Sequence, residues 1–173
     1  MFVRAIACIS LLLGCGGLGM VFSNRFKDRV RQLELLQNAI TELEFDIDFL
    51  NITLECSFEK LAKNFERPLK DVFLYVAYRL KESPTSDMQK VWRRAISKYN
   101  QYLALTKSDI EILMDFSKSL GSGSREKEKS NLKLASMRIS VALDEARSDA
   151  QKNIKMYRGL GFLTGIFAVI ILL

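Results

Sequence analysis

The sequence predicts an all-α protein: a cytoplasmic antiparallel bundle of about six helices between two terminal transmembrane helices. Three observations point there. The 173 residues include only 2 Pro and 9 Gly, too few turn formers for a β-sandwich. All 20 acids and all the Lys and Arg residues except Arg4 lie between Arg25 and Arg158, so both ends are nearly free of charge. Between those ends, apolar residues recur at helical spacing in one segment after another. The expected domains are a membrane helix at 1–24, a helical bundle at 25–158 and a second membrane helix at 159–173.

The first helix opens with 20 uncharged residues, Ala5 to Asn24. At helical rise that length matches the roughly 30 Å of a bilayer core. No Pro separates it from the next segment, so one helix is expected to run on. There Leu33, Leu36, Ile40, Leu43, Ile47 and Leu50 alternate in steps of three and four, a seam for packing along the helix. Glu42, Glu44, Asp46 and Asp48 fall mostly off that seam. They read as a solvated face and a candidate partner face, not as a metal or acid–base cluster, because helical spacing spreads them over more than one side.

A second helix is expected at about 53–65, with Leu54, Phe58, Leu61 and Ala62 inward. Arg67-Pro68 ends it, since a residue before Pro avoids the helical region. Pro68 suits the first turn of a third helix carrying Val72, Phe73, Val76, Ala77 and Leu80. Ser86 is the expected N-cap of a fourth, with Met88, Val91, Trp92, Ile96 and Tyr99 inside. Thr106 and Asp109 read as a capping box opening a fifth, with Ile110, Leu113, Met114 and Phe116. Gly121 fits the left-handed end of that helix, in the flexible stretch Gly121-Ser122-Gly123-Ser124. Beyond it, Arg125 to Arg158 contains no Gly or Pro. The sixth helix has a seam of Leu132, Ala135, Ile139, Ala142, Ala146 and Ala150, mostly alanine, which permits close approach. It is expected to continue into the last 15 residues, Gly159–Leu173, about 22 Å of helix.

Orientation follows from the flanking bases. Arg25, Lys27, Arg29 and Arg31 follow the first apolar run, and Lys152, Lys155 and Arg158 precede the second. The positive-inside rule then puts the middle in the cytoplasm and both termini across the membrane. Gly161 and Gly165 form a G-x-x-x-G pattern, expected to pack against glycines of the first helix or another subunit. A homo-oligomer is left open on that basis.

Several functions are disfavoured. Without His the chain lacks the commonest general base and metal ligand. Cys8, Cys15 and Cys56 make no Cys-x-x-Cys pair. Gly14-Cys15-Gly16-Gly17-Leu18-Gly19 spells a dinucleotide fingerprint, but no second strand follows it. The expectation is no enzyme, no cofactor, no metal and no nucleic-acid partner. One alternative is kept. Leu12-Leu13-Gly14-Cys15 resembles a lipoprotein cleavage box, which would make the chain an exported acylated lipoprotein or an envelope enzyme. Against it, the apolar run continues past Cys15 and dense bases follow.

The residues also carry a family resemblance. Ala150-Gln-Lys-Asn-Ile-Lys-Met-Tyr-Arg-Gly-Leu-Gly-Phe-Leu-Thr-Gly165, before an aliphatic tail, resembles the end of the stage III sporulation protein AB family. Arg31-Gln-Leu, Leu36-x-x-Ala39-Ile40-x-x-Leu43-Glu44, Leu61-Ala62-Lys63 with Pro68 and Phe73, and Leu120-Gly121 fit the same pattern. The chain departs from it at Ile52-Thr53-Leu54, where Thr-Pro-Leu is common, and at Ser124 and Glu128. The resemblance implies a fold like the F-type inner-membrane platform domain of type II secretion and type IV pilus systems. It also implies a platform and adaptor in the sporulation channel complex between mother cell and forespore. The implied place is the outer forespore membrane, with residues 25–158 in the mother-cell cytoplasm. The implied partners are a secretion-type ATPase, stage III sporulation protein AA, and other membrane subunits of the channel. The expected ATPase-facing surface is the acidic stretch Glu42–Asp48 or the loop at Gly121.

Overall fold

The computed structural model describes the backbone at residues 2–50, 52–83, 87–120 and 125–172. Side chains are described at 23–47, 50, 52–83, 87–118, 120, 126–156, 159 and 163. The described residues form six α-helices and no strand, in the order α1 (Phe2–Phe45), α2 (Leu54–Asn64), α3 (Leu69–Glu82), α4 (Met88–Tyr99), α5 (Lys107–Ser119) and α6 (Arg125–Leu172). A π-helical turn, Asp46–Leu50, ends α1, and a 3-10 turn, Asn100–Tyr102, follows α4. The chain divides into two compact units: Met1–Val30 with Glu145–Leu173, and Arg31–Asp144.

The first unit contains the start of α1 and the end of α6. Arg29 and Asp149 form an ion pair of 3.5 Å between them. Ser23, Ala146 and Ala150 are buried. Both apolar runs are helical in their backbone, as expected. The expectation that they span a membrane falls on side chains outside the described residues. Among the described residues, no helix is long and apolar enough to cross a membrane.

The second unit is the bundle. Its core is aromatic at the centre: Trp92 lies 5.9 Å from Phe58, 6.3 Å from Phe73 and 6.2 Å from Phe116, ring centre to ring centre. Such edge-on pairs add to the burial of large apolar surfaces. Phe65 closes the cluster against Phe73 at 5.6 Å. These rings belong to the core, so they offer no stacking platform. Leu33, Leu36, Ile40 and Leu43 of α1, and Leu132, Ala135, Ile139 and Ala142 of α6, are buried as well. Leu54, Ile110, Met114 and Tyr99, expected inside, are only half-buried, at the margins of this core.

The order of packing is fixed by polar ties. Gln32 of α1 accepts from the Ala104 N–H at 2.9 Å and donates to the Tyr102 carbonyl at 3.5 Å. Arg31 pairs with Glu66, just past α2. The turn after α2 and the segment after α4 therefore both sit at the Arg31 end of the bundle. Asp46, at the far end of α1, meets Lys60 of α2, so these two helices run antiparallel.

Local sequence explains most boundaries. Thr53 caps α2 by accepting from the Cys56 N–H. Thr106 and Asp109 make the expected capping box, with Asp serving where Glu or Gln is usual. Pro68 stands at the N-cap of α3, and the Arg67–Pro68 bond is cis. Two boundaries differ from expectation. Asp87 caps α4, its carboxylate accepting from Gln89 and Lys90 N–H groups, whereas Ser86 lies outside the described residues. A carboxylate one position closer to the helix reaches both orphan donors and also favours the positive end of the helix dipole. The seam of α1 fails at Leu50, which is 49% exposed. The π turn inserts about one extra residue, which rotates the chain beyond it by roughly 100° away from the seam. Gly121, expected at the end of α5, is outside the described residues. The last described position there, Leu120, is extended and buried.

Candidate functional site

The residues flanking the apolar runs fall into two groups. Arg25, Lys27, Lys152 and Lys155 are exposed. Arg29 and Arg31 are engaged within their units, Arg29 by Asp149 and Arg31 by Glu66. The side chain of Arg158 lies outside the described residues. So do the packing of Gly161 and Gly165 and the environment of Cys15. Gly159 is described, and a Cβ there would meet nothing within 4 Å among the described residues.

The acidic stretch of α1 is not the uniform face expected. Asp46 is fully buried, and its Oδ1 accepts from Lys60 Nζ at 2.8 Å. That hydrogen bond, together with the Asp46 and Glu42 charges, holds the Lys60 ammonium above its ordinary value of 10.5, against a smaller opposing effect of burial. The Asp46 Oδ2, the Glu42 Oε2 and the Ser57 hydroxyl have no hydrogen-bond partner among the described residues. Asp46 is therefore a partner to α2 and cannot present its carboxylate outward. Nothing in the local pattern signals this, because Lys60 lies on another helix and the π turn is not legible from spacing. Glu42 and Glu44 are half-buried, and the Asp48 side chain lies outside the described residues. Beside them Thr41 is exposed and Phe45 is 51% exposed.

A feature that spacing alone does not single out lies on α6. Leu134, Met137 and Val141 are 45%, 61% and 60% exposed. Their spacing of three and four puts them in one row opposite the buried alanine seam. In the sequence the row looks like a second seam, and only burial distinguishes the two. Lys133 and Arg138 flank the row. Arg138 also closes a groove of about 320 Å³ between α5 and α6, lined by Ile112, Asp115, Phe116 and Leu134. At its rim Asp115 takes Lys118 at 2.9 Å and Arg138 at 3.2 Å. Lys118 first, and Arg138 after it, hold the Asp115 carboxyl below its ordinary value.

No cluster of three or more His, Cys, Asp or Glu side chains that could hold a metal ion occurs among the described residues. Cys56, on α2, is a free and exposed thiol. What the described surface offers is contact chemistry: half-exposed acids at the end of α1, an apolar row with basic flanks on α6, and bases beside both apolar runs.

Comparisons with known proteins agree on one family. The family model described as stage III sporulation protein AB matches residues 4–173. A curated relative, stage III sporulation protein AB of Bacillus subtilis (strain 168), is 25% identical over 171 residues, which is 99% of each chain. A solved structure of stage III sporulation protein AB has the same fold, with a TM-score of 0.66 at 24% identity, covering 71% of this chain and 96% of that one.

Proposed function

Because this chain belongs to the stage III sporulation protein AB family, and is thus a sporulation protein, we propose that it is a membrane platform and adaptor subunit of the channel complex between mother cell and forespore. In this reading it couples a secretion-type ATPase, stage III sporulation protein AA, to the membrane-embedded subunits, and has no catalytic site of its own. The observation that carries the reading is the match to that family over residues 4–173. The flanking bases support a cytoplasmic bundle, and the exposed Arg25, Lys27, Lys152 and Lys155 suit anionic headgroups.

Of the two surfaces expected to face the ATPase, the acidic stretch is weakened by the burial of Asp46. The segment at residues 121–124, between α5 and α6, is the proposed contact.

Topology is the first test. A reporter active only in the cytoplasm is placed within residues 121–124, and a thiol added after Leu173 is probed from outside. Reporter activity together with an accessible tail supports the two-span platform. An inactive reporter sinks it and turns attention to acylation of Cys15. The ATPase contact is tested separately by Gly123→Trp, which should abolish co-purification of the ATPase while the protein stays in the membrane. Unchanged recovery would remove the loop from the contact.

A further inference from the structure

The arginines of the bundle are of two kinds. Arg31, Arg67, Arg79 and Arg138 each meet a carboxylate, that of Glu66, Asp71, Glu82 and Asp115 in turn. Arg93 and Arg94 do not. Both are exposed on α4, and neither pairs with an acid among the described residues. α4 supplies no acid itself: it holds Lys90, Arg93, Arg94 and Lys98 and no Asp or Glu. Lys90 turns back to the N-cap Asp87 at 3.5 Å. Lys98 lies over the Tyr75 ring at 5.2 Å and the Tyr99 ring at 5.5 Å. The two arginines are left as the unneutralised charge of this helix.

Beside them lies a groove of about 340 Å³ between α4 and α5. Arg93, Ser97 and Asn100 follow one another along its α4 wall at steps of four and three, roughly 10 Å from first to last. Ile110 and Met114, one turn apart, form the α5 wall. Ile96, only 6% exposed, lies at its base. Arg94 stands about 100° round the helix from Arg93 and extends the cationic edge over the outer crest of α4. The groove thus has an apolar interior and one cationic border.

An occupant must match both chemistries at once. Apolar side chains fill the interior, and carboxylates suit the arginines, whose planar guanidinium groups offer paired N–H donors. An amphipathic helix presents apolar side chains at i and i+4, the spacing of Ile110 and Met114. A bilayer surface is too flat to enter a groove. A nucleic acid would use the arginines through its phosphates and leave the apolar wall unfilled. We propose that the α4–α5 groove receives an acidic amphipathic helix of a partner protein, its apolar side chains over Ile96, Ile110 and Met114 and its carboxylates at Arg93 and Arg94. The site lies within one compact unit, Arg31–Asp144, and involves neither the apolar ends nor the segment at 121–124.

Fluorescence anisotropy of the full chain, purified in a neutral detergent, tests this. The probe is a labelled synthetic helix with Leu along one face and Glu over the rest, and binding is read as the difference from protein-free micelles. Saturable binding is expected. Arg93→Glu with Arg94→Glu should weaken it by about tenfold or more, and Met114→Lys should weaken it as well. A probe with Lys for every Glu should bind the doubly reversed variant more tightly than the wild type. Absence of saturable binding by the Leu–Glu probe overturns the proposal, as does equal binding of a probe with Gln for every Leu. Full displacement by a single-stranded oligonucleotide, or indifference to the arginine reversal, overturns it too. Retained helical circular dichroism in each variant keeps a folding defect from being read as lost binding. Neither topology nor the ATPase enters the assay, so its failure is distinguishable from failure of the platform reading.

Discussion

Along α1 the buried row of the bundle is Leu33, Leu36, Ile40 and Leu43, with Ala39 beside it, while along α6 it is Leu132, Ala135, Ile139 and Ala142. The large apolar side chains of α6 are divided between inside and outside, with Leu134, Met137 and Val141 left at 45–61% exposure. On α1 almost all the bulk points inward until Phe45. The two helices therefore stabilise the bundle differently. α1 fills volume with Leu33, Leu36, Ile40 and Leu43, whereas α6 mixes the bulky Leu132, Ile139 and Leu143 with Ala135 and Ala142. α6 thus carries apolar bulk on both sides, inside at Leu132, Ile139 and Leu143 and outside at Leu134, Met137 and Val141.

The largest effect should come from breaking the filled side. Leu36→Ala removes a side chain that is 1% exposed and should cost about 2–5 kcal/mol in unfolding of the detergent-solubilised chain. Met137→Ala, a truncation of similar size on the outer row, should change stability by less than about 0.5 kcal/mol. Comparable losses from the two would mean that the outer row is covered within the chain. The close-packed side should fail in the opposite direction. Ala142→Leu adds bulk where there is no room and should cost about 1–3 kcal/mol, read as a lower denaturant midpoint with an unchanged slope.

The end of α1 gives a prediction of order. Lys60→Met strips the only described partner from a fully buried carboxylate, while Asp46→Leu with Lys60→Met removes both charges. The single variant should therefore be the less stable of the two. If the double variant is the less stable, the pair contributes more than its desolvation costs. The Lys60 value is raised on folding, so the stability it contributes is fully present below 10.5 and is lost as pH rises through the raised value. A midpoint that holds steady from neutral pH up to 10.5 and falls above it in the wild type, but not in Lys60→Met, is the expected signature.

The smallest effect concerns the rim between α5 and α6. Asp115 is exposed and its value is lowered, so its contribution is present above the ordinary carboxylate value of 3.8 and disappears as pH falls through the lowered one. Solvent screening keeps the effect small, and Asp115→Asn should cost no more than about 0.5 kcal/mol at pH 7. A larger cost would show that the Lys118 and Arg138 contacts order the helix pair more than an exposed ion pair normally does.

The helices themselves were legible because their signals are local. Apolar residues at steps of three and four, Pro68, and the Thr106–Asp109 box act within a turn or two of chain. The candidate contact surfaces were only partly legible. The acids of α1 were visible, but which of them face outward depends on Lys60 and on a π turn that has no spacing signature. The outer row of α6 was present in the sequence as a second helical stripe. Choosing between it and the alanine stripe requires knowing which one the other helices cover.

The sequence by itself determined the number and order of the helices, the charge-free ends and the family, because each is fixed by short-range pattern or by composition. The tertiary structure alone decided that Asp46 turns inward to Lys60, that Leu50 leaves the seam, and that α6 buries the stripe of Leu132, Ala135, Ile139 and Ala142 while exposing Leu134, Met137 and Val141. Those outcomes depend on residues far apart in the chain competing for the same space, and a periodicity reports only that a face exists, not which neighbour will cover it.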